Sequence, residues 1–154
     1  MGLFDALAIS GSALTAERLR MDVIADNLAN AETTRSETGG PYQRRLVVFA
    51  SRSFPALLDG GRATPGMNPA GRRQVAGLGG VRVAAIVNDP APPRLVYNPG
   101  HPDAGPDGYV RMPNINPVSE MVDLLAASRA YEANLAALET TKQLALRTLD
   151  LLRG

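Results

Sequence analysis

The chain has 154 residues, a formal net charge of +1, 45% apolar and 20% charged side chains, and neither cysteine nor tryptophan. That length holds one ordinary domain or two small ones, and the apolar content excludes wholesale disorder. A near-zero charge carried by scattered single arginines excludes a general nucleic-acid binder, and the lack of cysteine removes disulfides, thiolate zinc sites and thiol catalysis.

All twelve prolines lie between Pro41 and Pro117, which leaves residues 3–29 and 117–152 free to run as helices. In the first segment Leu7, Leu14, Met21 and Leu28 recur every seven residues, with Leu3 and Ile24 in a companion row that Ser10 and Glu17 interrupt. Heptad spacing keeps one seam toward a partner helix. Arg18, Arg20, Asp22 and Asp26 lie off that seam. Asn30 or a residue just after it is the expected stop, since asparagine takes the left-handed conformation that ends helices.

Residues 35–112 read as a small β-rich module. Its strand candidates are Tyr42–Phe49, Val81–Val87, Arg94–Tyr97 and Tyr109–Met112, separated by Gly/Pro turns such as Asn98-Pro99-Gly100 and Asp107-Gly108. Residues 59–80 carry many of the glycines, Arg62, Arg72 and Arg73, and almost no bulky apolar side chain, so they are expected to form a solvated loop.

The second helical segment opens on Asn116-Pro117, an N-cap with proline at the first helical position, followed by Glu120 and Asp123 near the positive end of the helix dipole. Its seam reads Met121, Leu124, Ser128, Tyr131, Leu135, Leu138, Lys142, Ala145, Leu149 and Leu152. At 1.5 Å per residue the segment makes a rod of roughly 54 Å. The reading is an α+β chain: 1–34 and 113–154 form a helical assembly part whose helices pair as a coiled-coil stalk, with 35–112 inserted between them. An intramolecular hairpin with its own core is the alternative. Pairing between subunits is preferred because the seam is long and the middle offers little to cover it.

No catalytic, cofactor or metal site emerges from the residues. His101 is the only histidine and sits in a turn-rich His-Pro-Asp setting; a metal would need Asp103 and Asp107 to converge on it. Asp103 to Gly108 lacks the third-position oxygen and the terminal glutamate of a calcium loop, and Gly77-Leu78-Gly79-Gly80 misplaces the last glycine of a dinucleotide loop. No apolar run reaches 18 residues, so no membrane span is expected. Asp5 occupies the region of a signal peptide that should be basic, so export without a cleaved signal is expected.

The stretch Ser12 to Thr33, centred on Asp26-Asn27-Leu28-Ala29-Asn30, resembles the N-terminal motif shared by bacterial flagellar rod and hook proteins. Pro41 to Phe49, Val96 to Asp103, Gly108 to Pro117 and Glu120 to Asn134 extend the likeness over nearly the whole chain, toward the proximal-rod proteins of the basal body; it departs mainly at 59–80. The resemblance implies a structural, non-enzymatic subunit whose terminal helices pack between copies around an export channel, in a periplasmic rod that transmits motor torque. The motif residues are Asn27, Asn30, Asn116 and Pro117. The implied partners are other copies, other rod proteins, an export-gate adaptor at the rod base and the flagellar type III export apparatus, with no nucleic acid. A hook or distal-rod subunit, or a peptidoglycan-acting enzyme, are the rival readings.

Overall fold

The computed structural model describes residues 3–36, 39–52 and 79–153. Its elements are α1 (Leu3–Ala29), β1 (Arg45–Ser51), β2 (Val81–Asn88), β3 (Arg94–Tyr97), β4 (Tyr109–Met112) and α2 (Pro117–Arg153). The architecture is α+β, with two long helices and two small antiparallel hairpins, β1–β2 and β3–β4. All four strand candidates are strands; β1 begins at Arg45, and Tyr42 and Arg44 before it are engaged with the helices. Most of the expected loop at 59–80 falls outside the described residues.

Both inner helix ends are fixed by asparagine, each by a different device. At α2, Asn116 Oδ1 accepts from the Val118 amide at 3.0 Å, and Pro117 takes the first helical position. At α1, Asn30 does not adopt the expected left-handed conformation, since among the described residues only glycines have positive φ. Instead the Asn30 amide side chain donates back to the Asp26 carbonyl at 2.9 Å, and its backbone N–H donates to the same oxygen at 3.1 Å. The freed helix-end carbonyl is thus satisfied locally.

The two helices make the most extensive contact between elements. Because Asn27 near the end of α1 bonds Glu120 in the first turn of α2, they run antiparallel. The pairing is therefore present within one chain. In α1 the predicted row is turned inward: Ile24 is buried, and Leu7, Leu14, Met21 and Leu28 are half-buried. In α2 the covered face is Glu120, Leu124, Ala127, Tyr131, Asn134, Leu138, Thr141 and Ala145. It shares Leu124, Tyr131, Leu138 and Ala145 with the predicted seam, while Met121, Leu135 and Leu149 are exposed in the single chain. The physical reason is close approach. A small Ala127 lets the backbones near each other, and Asn134 and Thr141 spend their donors on the carbonyls of Ala130 and Ala137, one turn back. Leu152 lies in the helix, but its side chain is outside those described.

The β1–β2 hairpin lies along α1. Its register slips between Val48 and Phe49, where Ala84 is the extra residue of a bulge. At the far end Ser12 Oγ accepts from the Val81 amide at 3.1 Å and donates to Ile9 O at 2.7 Å. Gly80, at φ +79°, passes so close to Ser12 that any Cβ would overlap the hydroxyl. The apolar core is small. Ala31, Tyr42 and Ile115 cluster where the two helix ends meet the hairpins, and Val110, from β4, is fully buried.

Candidate functional site

Sequence patterning places Asn27 in a motif and Glu120 at a helix dipole; the structure brings them together as the two most buried polar side chains among the described residues, each 1% exposed. The Asn27 amide works like a short strand segment. Its Nδ2 donates to the Arg45 carbonyl at 2.9 Å, and its Oδ1 accepts from the Arg45 N–H at 2.8 Å. The second Nδ2 hydrogen goes to Glu120 Oε2 at 3.2 Å, and the Tyr42 hydroxyl donates to Oδ1 at 3.3 Å. All four hydrogen-bonding positions of the amide are used.

Arg44 answers the charge of Glu120, with Nε 2.7 Å from Oε1. Its remaining nitrogens reach Asp89, after β2, at 3.7 Å and Asp123 at 3.5 Å. Beside it Arg45 pairs with Asp26 at 3.1 Å and lies over the Tyr42 ring, 5.5 Å from its centroid. Burial, then the nearby Asp26 carboxylate, raises the Tyr42 hydroxyl above its ordinary value of 10.0; Glu120 acts the same way, and Arg45 opposes them. This knot ties the end of α1, the start of β1 and the start of α2 into one unit. Sequence patterning places Tyr42 and Arg44 in a strand and gives Ser12 no contact of its own; the structure uses all three as polar links. The available signal was that Glu120 stands one turn before Leu124 on the seam itself.

The remaining polar contacts hold parts of the chain together. His101 Nδ1 accepts from the Asp103 amide at 3.1 Å, and Asp103 is occupied by Thr34 at 2.8 Å and Arg35 at 3.1 Å. Those contacts pin the 98–108 loop to the segment after α1. Asp107 is exposed, and among the described residues no three acidic or histidine side chains converge as metal ligands. No described helix is long and apolar enough to cross a membrane.

What remains open is surface. On α2, Val118 (68% exposed), Val122 and Leu125 (each 60%) form one row with Met121 beside it, and Leu144, Leu146, Leu149 and Leu151 crowd the far end. Over that far end α2, at 37 residues, outruns α1, at 27.

Comparison with known sequences finds matches at both ends of the chain. The family model described as "Flagella basal body rod protein" matches residues 7–35, and "Flagellar basal body rod FlgEFG protein C-terminal" matches residues 107–151. The chain is 44% identical to the "Flagellar basal-body rod protein FlgC" of Yersinia enterocolitica, over 98% of both chains. It is 40% identical to the protein of that name from Borreliella burgdorferi over 100% of both, and 41% to that of Bacillus subtilis over 98% of this chain and 99% of the relative.

Proposed function

The chain belongs to the flagellar basal-body rod protein FlgC family, and from that premise we propose that its two terminal helices join it to its neighbours. It is a structural subunit of the proximal rod of the flagellar basal body, and not an enzyme. It assembles with other rod components. The helical part, 1–34 and 113–154, forms the wall of an axial tube by coiled-coil packing against other copies, and 35–112 stands outside it. Export through the flagellar type III apparatus, seating on an adaptor at the rod base and a periplasmic position complete the reading.

One observation carries the assembly role. The apolar row Val118, Val122 and Leu125, with Met121 beside it and Leu135 exposed further along α2, is left uncovered after α1 and α2 have paired within the chain. Exposed apolar rows of that extent mark contact surfaces. In a tube, many such weak contacts sum to stiffness. The residues named for assembly then divide. Leu7, Leu14, Met21, Ile24, Leu28, Leu124, Tyr131 and Leu138 hold the pair together, while Met121, Leu135 and Leu149 meet other subunits.

The test separates the two groups. Val122→Asp and Leu135→Asp place a carboxylate where a neighbour desolvates it. Each variant is expected to be made, folded and secreted, yet to leave rods unfinished and cells non-motile. Full swimming by both variants would remove this row from the assembly surface.

A further inference from the structure

The β3–β4 hairpin buries one face and displays the other. Val110 is fully buried and Val96 half-buried, whereas Leu95, Tyr97 and Tyr109 are 62%, 65% and 48% exposed. Register places Tyr97 opposite Tyr109 and Leu95 opposite Arg111, so these four share the outer face. The tyrosines are held in place: their centroids are 5.3 Å apart, edge to face. Gly108, at φ +72°, makes room for the Tyr97 ring, since a Cβ there would lie 2.8 Å from its Cε2. Rigid, exposed tyrosines beside an arginine are the composition of an interface anchor, because little side-chain freedom is lost on contact. Arg111 is exposed, and with Tyr109 and Arg35 it lines a cleft that Thr34, Pro41 and Asp103 also border.

The same chain carries a matching surface. On the outer side of α1, Asp22, Ala25 and Ala29 form an exposed row, followed by exposed Glu32, with Arg18 beyond Asp22. Two alanines leave room for tyrosine rings, and the Asp22 carboxylate is opposite in charge to Arg111, whereas Arg35 is already paired with Asp103 at 3.1 Å. The exposed row of α2 fits less well, because its valines and leucine are bulky. The geometry points to the Tyr97–Tyr109 face of one copy docking on the Asp22–Glu32 row of α1 in a second copy. The two patches differ, so the contact is head-to-tail and propagates along an array. This rests on the reading that the chain assembles with its own copies.

The absence of cysteine makes the test clean. Leu95→Cys and Ala25→Cys are introduced together in the full chain, leaving both tyrosines intact, and rods are oxidised in place. The expected product is a ladder of crosslinked copies that neither single variant gives. Finished rods without a ladder, or with crosslinks only to a different subunit, overturn the docking while leaving the assembly role standing. A second arm reverses charge at exposed positions. Arg111→Glu and Asp22→Arg are each expected to cut swimming about tenfold, and the double variant to restore it to within about twofold of wild type. Failure of the double variant to recover, with both singles folded, overturns the pairing. Complete rods that contain no copy of this chain would count against the assembly role instead.

Discussion

An aspartate at position 27 would match asparagine in shape and invert its hydrogen bonding. The Asn27 side chain donates to Arg45 O and to Glu120 Oε2, so Asn27→Asp loses both donors and sets a second carboxylate beside a buried one. It is expected to cost more than Asn27→Ala, about 3 kcal/mol against about 2 kcal/mol in urea unfolding. Equal costs would mean that the amide fills space and no more. Glu120 gives the complementary case. Arg44→Met leaves its carboxylate buried without its closest cation, at a cost of roughly 2–4 kcal/mol, and adding Glu120→Met should recover most of that. Tyr42 adds a pH dependence. Its single hydroxyl hydrogen, shared between Asp26 and Asn27, is present only while the group is protonated, and its folded pKa lies above the unfolded value of 10.0. The contribution is therefore complete below that value and lost as pH rises through the folded pKa. A Tyr42→Phe variant should lack that alkaline loss, which urea midpoints measured across neutral and alkaline pH would read.

Among the elements, the start of α2 was the most legible from sequence, because Asn116 and Pro117 act through their immediate neighbours. Asn116→Ala should cost about 1 kcal/mol, and replacement by serine or aspartate little. The four strands were legible for a similar reason, their alternation being bounded by turn residues. Their pairing was not. Register depends on Asn27 and Ser12 receiving the two ends of the β1–β2 hairpin, contacts that span 18 and 69 residues of chain. The phase of α2 was half legible. Hydrophobicity marked large side chains as the seam, but the face covered within the chain includes Glu120, Ala127 and Asn134. The buried role of Glu120 needs Arg44, and no periodicity links positions 76 residues apart.

For the whole molecule, the knot and the helix pair define a gradient of stability along one axis. Polar contacts and core residues concentrate where Asn27, Tyr42 and Glu120 meet, and cover thins toward the end of α2, where Leu149 is 57% and Leu151 84% exposed. A helix with no partner surface holds itself poorly, since most helical stability in proteins comes from packing. Hydrogen exchange on the isolated monomer should therefore be slowest around residues 20–28 and 117–131, and fastest beyond Leu144. The gradient follows from the antiparallel pair, because the shorter α1 leaves the last turns of α2 without a neighbour. Assembly should slow exchange most in those last turns, as other subunits cover them. Uniform slow exchange to residue 151 in a demonstrated monomer would mean that the single chain stabilises the helix unaided. The far leucines would then have no call for a neighbour, and the tube wall would have to be held by the row at Val118, Val122 and Leu125 alone.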